Sequence, residues 1–121
     1  YEEGKGRIYA FDDLKNLNKL RNDLGDFGDE FKELEAEGNL YYNKKCYISL
    51  HCDNERAKVY CIKLGRSMNL NFNWFYNKEK KFEEFKFLLN GGDMYVLTET
   101  AKGKDSRKKN TFYLKHAANF D

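Results

Sequence analysis

One run of residues constrains this chain more than any other: Met68, Leu70, Phe72, Trp74 and Tyr76 alternate with Asn69, Asn71, Asn73 and Phe75. Neighbouring side chains on a strand point to opposite faces, so the run predicts a strand with one apolar and one amide-bearing side. Such a strand needs partners, and its apolar side needs a cover. Cys46, Ile48, Leu50 and Cys52 alternate with Tyr47, Ser49 and His51, which predicts a second strand. Asp53-Asn54-Glu55-Arg56 reads as a polar turn and 58–64 as a third strand, so 45–64 is expected to be an antiparallel hairpin. Gly65-Arg66-Ser67 turns the chain into the alternating run.

The cover is expected from helices. Residues 6–11 read as a short strand, and Asp12 or Asp13 as a helix N-cap. Leu14, Leu17, Leu20, Leu24, Phe27, Phe31 and Leu34 then recur at spacings of three and four, one apolar stripe on a helix that Gly25 and Gly28 weaken and can split. Gly38-Asn39 closes the segment. At 78–90, Phe82, Phe85 and Leu89 share a helical face that Phe87 and Leu88 widen, and Asn90-Gly91-Gly92 is a helix stop. A strand at 93–100, a basic loop at 101–110 and a returning strand at 111–116 complete the chain, with a terminal helix from about 106 as the alternative to that last strand. The expected fold class is α+β, in the order β-α-β-β-β-α-β-β: a twisted antiparallel sheet with two helices packed on one face. Residues 1–121 are read as a single domain, a length that buries a core without disulfides.

Charge divides the chain. Residues 1–39 hold 6 Lys/Arg and 11 Asp/Glu, a net of −5, whereas residues 40–121 hold 16 and 9, a net of +7. The basic part is suited to a polyanion. The three cysteines, Cys46, Cys52 and Cys61, are an odd count without a signal-like start. This predicts a soluble protein of a reducing compartment, cytoplasm or nucleus. No apolar run approaches the ~18 residues of a membrane span, so no membrane partner is expected.

Function is read from the sheet. If Ile48, Leu50, Phe72 and Trp74 face the helices, then Tyr47, Ser49, His51, Asn71, Asn73 and Phe75 face outward, with Lys58, Lys63 and Arg66 on the hairpin or its edge. Rings stack on bases, amides bond to base edges and cations neutralise phosphates. Lys102, Lys104, Arg107, Lys108 and Lys109, in a hairpin loop with one Asp105, are suited to gripping a phosphate backbone. The expectation is therefore a non-enzymatic binder of single-stranded DNA or RNA, without cofactor. A zinc site is not expected: no CxxC or HxxxH spacing occurs, and His51 and Cys52 should point oppositely on a strand. Asp93, Glu99 and Lys102 lack the acid-x-Lys spacing of a metal-dependent nuclease, and no phosphate-binding glycine loop is present. The rivals are a protein-interaction or inhibitor module (a protein partner or a homodimer) using the acidic helix 12–37, and an RNA-recognition-type βαββαβ domain.

The stretches from Arg7 to Phe31, 43–65 and 69–92 together resemble the PUR-repeat family of purine-rich-element binding proteins and, more distantly, the Whirly proteins. The resemblance is one of pattern: an aromatic-rich strand, a polar turn, a basic strand, another strand and a helix in that order. It implies a β-β-β-β-α unit and single-stranded nucleic-acid binding. Arg56-Ala57-Lys58-Val59 stands where that family has Gly-Arg-Phe, and the extra strands after Gly92 depart from it.

Overall fold

A computed structural model describes residues 6–121. The chain forms two compact units, 1–39 and 40–121. Their boundary falls where the net charge changes sign.

Within the first unit, helix α1 spans Lys15–Gly25, between single 3₁₀ turns at Phe11–Asp13 and Asp29–Phe31. Asp12 and Asp13 belong to the first of these turns, and the residue at the helix N-cap is Leu14, whose side chain caps nothing. The apolar stripe is broken at Gly25 and Gly28, where the sequence weakens it. Residues 6–10 belong to no strand, so the strand expected at 6–11 is absent among the described residues. The guanidinium of Arg21 lies 4.2 Å from the centre of the Phe11 ring, and its Nε donates to the Leu34 carbonyl at 2.7 Å. None of the described residues of this unit is buried.

The second unit is built of strands. These are β1 (Tyr47–His51), β2 (Val59–Ile62), β3 (Met68–Tyr76), β4 (Glu79–Leu89), β5 (Met94–Leu97) and β6 (Phe112–Asn119). One antiparallel sheet has the order β1-β6-β3-β4, and β2 pairs with β5 in a second, two-stranded sheet. Leu70, Phe72, Leu97 and Leu114 form the core, with Val59, Cys61, Trp74, Leu89, Tyr95 and Ala101 packed against them. The small sheet, rather than a helix, therefore covers the apolar side of the large one.

Three expectations are corrected here. The helix expected at 78–90 is strand β4, so the described chain has one α-helix and not two. Asn77 and Lys78 both have positive φ (48° and 70°) between paired Tyr76 and Glu79, a two-residue reverse turn that sends β4 straight back along β3. In that setting Phe85, Phe87 and Leu89 alternate along a strand, and aromatic residues favour it. The hairpin expected at 45–64 does not form, because β1 pairs with β6 and β2 with β5. The connection 53–58 instead carries the chain from one sheet to the other, with the Asp53 amide bonded to the Lys102 carbonyl at 2.8 Å. Finally, the basic loop after β5 is not a hairpin loop: it too crosses between sheets, and a 3₁₀ turn at Lys104–Arg107 shapes it. No helix among the described residues is long and apolar enough to cross a membrane.

Candidate functional site

The large sheet has two unlike faces. Register places Tyr47 opposite Asn119, and Asn119 opposite Asn69. Residues directly opposite share a face, so Tyr47, Asn69, Asn71, Asn73 and Phe75 lie on one side. Lys86 and Lys80 join them from β4, and Ala117, Lys115 and Tyr113 from β6. The core leucines and Phe72 occupy the opposite face.

This amide-bearing face departs from expectation in one respect. Asn71 and Asn73 are placed on it, yet Asn73 is 0% exposed. Short side chains in a central strand are overtopped by the lysines and glutamate beside them. In the amide orientation that satisfies both of its ends, Asn73 donates through its nitrogen to Glu84 Oε2 at 3.1 Å and accepts through its oxygen from Lys80 Nζ at 3.2 Å. Asn69 donates to Asp121. Asn71 Oδ1 and Asn119 Oδ1, like His116 Nδ1 on the other face, are buried without a partner, which is uncommon for buried polar atoms. Phe75 is half-buried, stacked on Tyr113 with centroids 5.7 Å apart and capped by the Lys115 ammonium at 4.7 Å. Tyr47 is 68% exposed and is the fully presented ring of the face. At one end, a shallow pocket is lined by Lys44, Arg66, Ser67, Asn69, Phe120 and Asp121.

The remaining residues expected to bind nucleic acid are scattered. Lys58 and Lys63 accompany the small sheet; Lys58 lies 5.4 Å from the Tyr60 ring centre, and Lys63 donates to the Leu64 carbonyl. Lys104 pairs with Glu99, and Lys108 with Asp105 at 2.7 Å. The Lys104–Glu99 pair is exposed and therefore weak, whereas Asp105 is half-buried beneath exposed Lys108; Arg107 and Lys109 are exposed beside them. Lys102 is 2% exposed, with its ammonium 2.9 Å from the Asp53 carbonyl oxygen, so it is a structural tie and not a phosphate contact. Lys102→Ala should lower stability by about 1.5–3 kcal/mol, the worth of a charged hydrogen bond. It should leave the salt dependence of any polyanion binding unchanged, which a denaturation curve and a salt titration would check.

His51 is on neither the expected face nor in the expected company. A bulge between Ile48 and His51 shifts the parity of β1, so His51 pairs with His116, which shares the core side with Phe72. The two imidazoles lie 4.3 Å apart, centre to centre. Asp53 stands against both: Oδ1 is 3.4 Å from His51 Nε2, and Oδ2 is 3.3 Å from His116 Nε2. Burial, followed by the neighbouring His51, pushes His116 below the ordinary imidazole range, although Asp53 pulls the other way. His51 Nδ1 is held at 2.8 Å from the Ser49 carbonyl oxygen. The alternation of 46–52 hid this cluster, because strict period two sends His51 outward; no signal in the sequence marks the bulge.

The other groups considered for chemistry do not join it. Glu99 is engaged by Lys104, while an Asp93 carboxylate oxygen accepts from the Asn90 amide at 2.7 Å. Burial pushes both the Cys61 thiol and the Tyr95 hydroxyl up, and the two hydrogen-bond each other, an environment that keeps a thiol protonated and inert.

No protein-family model matches this chain, and no solved structure matches it. It is similar to a protein of Acanthamoeba polyphaga mimivirus that is itself described only as uncharacterized: the two are 38% identical over 122 residues, covering all of this chain and 48% of the viral protein. The chain thus spans about half the length of that relative.

Proposed function

We propose that residues 40–121 form a non-enzymatic module that binds single-stranded DNA or RNA on the amide-bearing face of the large sheet. The observation that carries this reading is the composition of one continuous face. Exposed Tyr47 and half-buried Phe75, which packs on buried Tyr113, lie there with Lys80, Lys115 and the Glu84-paired Lys86, on the side turned away from the core. Sequence-tolerant single-strand binders combine stacking rings with a cationic track. The buried asparagines play a different part from the one expected of them. They form the floor that positions Lys80 and Glu84, and the contacts fall to the longer side chains above. The reading rests on this face and not on the resemblance to PUR repeats, whose helix has no counterpart at β4. The RNA-recognition-type alternative loses its second helix at the same place. The module using 12–37 keeps one observation in its favour: Phe27 is 80% exposed beside the half-covered leucines of α1.

Fluorescence anisotropy with single-stranded DNA, single-stranded RNA and duplex at two salt concentrations tests the reading. Single strands should bind best and weaken with salt. Replacing Lys80, Lys86 and Lys115 together with alanine should reduce the logarithmic salt slope by about 2, since each phosphate contact on a single strand contributes roughly 0.7. Tyr47→Ala should lose about 1–3 kcal/mol of binding with its fold intact. Absence of binding to any nucleic acid at low salt would sink the proposal and turn attention to 12–37.

A further inference from the structure

We propose that His51, Asp53 and His116 form a binding site for one divalent transition-metal ion of the zinc class. Their ligand atoms all lie within 4.8 Å of one another. Two imidazole nitrogens and a carboxylate suit zinc, cobalt or ferrous ions, and not the oxygen-seeking magnesium or calcium.

Three observations select a metal over an ordinary hydrogen-bonded cluster. The first is spacing. Asp53 Oδ1 is 3.4 Å from His51 Nε2, and Oδ2 is 3.3 Å from His116 Nε2. A direct hydrogen bond between charged groups would be about 2.7–2.9 Å. Two ligand atoms each about 2.0–2.1 Å from a tetrahedral ion are about 3.3–3.4 Å apart, which is the spacing of each nitrogen from its own carboxylate oxygen, so an ion held by both nitrogens meets the carboxylate through both oxygens.

The second is the orientation of a ring. His51 Nδ1 faces a carbonyl oxygen at 2.8 Å and must be the donor there. That bond turns Nε2 toward the Asp53 carboxylate. Ligation through one ring nitrogen while the other donates to a backbone carbonyl is the usual arrangement of a metal-binding histidine.

The third is rigidity. Asp53 is tied on both sides by Lys102: its amide donates to the Lys102 carbonyl at 2.8 Å, and its carbonyl accepts from the Lys102 ammonium at 2.9 Å. His116 is 5% exposed on the inner strand β6, against Phe72 at 6.1 Å between ring centres. Lys102 is thus a positioning residue for a carboxylate ligand. Three protein ligands leave one tetrahedral position open to water, and half-exposed His51 is on the solvent side of the site.

Isothermal titration of chelator-treated protein with zinc and, separately, magnesium tests the proposal. Zinc should bind at one ion per chain and magnesium should not compete. His51→Ala and the near-isosteric Asp53→Asn, each shown to be folded by circular dichroism, should lose more affinity than the about 10–100-fold that removal of an outer-shell partner costs. Joint replacement of Cys46, Cys52 and Cys61 by serine should leave binding unchanged. Cobalt substitution should give visible d–d bands without a thiolate charge-transfer band. The proposal is overturned if zinc fails to bind, if binding survives in both folded variants, or if a thiolate band shows that cysteines hold the ion.

Discussion

Phe72→Ala is expected to cost about 3–5 kcal/mol of folding stability, the range for truncating a buried phenylalanine. The ring is 6% exposed at the centre of β3 and belongs to the core with Leu70, Leu97 and Leu114. It stacks on Phe85 at 5.5 Å between centroids and meets Phe87 edge-on at 6.0 Å. Because β3 lies between β6 and β4, with the small sheet on its apolar side, no neighbour can move in without giving up strand pairing. Domains of this size are stable by only about 5–15 kcal/mol, so the loss is a large share of the total. Phe82 is the control: it is 72% exposed in the bulge of β4, with φ of 63°, and Phe82→Ala should cost much less. Urea titration of both variants measures the difference. Equal costs would mean that the core is not centred on β3.

Part of this arrangement was legible in the sequence. The run 68–76 alternates without a break, and it is strand β3 with Phe72 and Trp74 on the core side and the asparagines opposite. The charge reversal at residue 39/40 coincides with the boundary between the two units, although the sequence reads as a single domain. Segment 78–90 misled because its phenylalanines satisfy two periods. Phe82, Phe85 and Leu89 fit a helix, and Phe85, Phe87 and Leu89 fit a strand. What decides between them is the turn at Asn77-Lys78, where lysine rather than glycine occupies a positive-φ position. Strand pairing was less legible still. Sequence neighbours β1 and β2 look like a hairpin, and only the long-range match of β6 to both β1 and β3 separates them.

The candidate sites divide along the same line. Tyr47 and Phe75 were placeable on one face because unbroken alternation controls their strands up to those points. His51 lies beyond a bulge, and the inserted residue turns it to the core side. His116 and Asp53 then meet it through pairings between residues far apart in sequence. Lys102 shows the converse error. Composition groups it with its basic neighbours, but the crossing between sheets buries it under Asp53, where its charge serves the fold.

Gly103→Ala should be the second severe substitution, at about 3 kcal/mol or more, and the cost divides into two parts. The backbone there is left-handed, with φ of 89° and ψ of 31°, which alone penalises a residue bearing a Cβ by about 1–2 kcal/mol. The rest is collision. A Cβ at this position would stand 2.5 Å from Cys52 Sγ, 2.5 Å from the Leu114 carbonyl oxygen and 2.9 Å from Cys52 Cβ. The carbonyl belongs to β6, paired on both sides, so it cannot retreat, and the loop must lift instead. Gly92 separates the two parts: its φ is 96°, but a Cβ there would meet nothing within 4 Å. Gly92→Ala should therefore show the backbone penalty alone. Lifting the loop at Gly103 would also drag its neighbour Lys102 from Asp53, so Gly103→Ala should weaken zinc binding in whatever fraction stays folded, whereas Gly92→Ala should not. Chemical denaturation of the two variants, followed by zinc titration under native conditions, reads both effects. If the two alanines cost the same, the close approach of the loop to β6 is absent, and with it the clamp that holds the Asp53 carboxylate between the histidines.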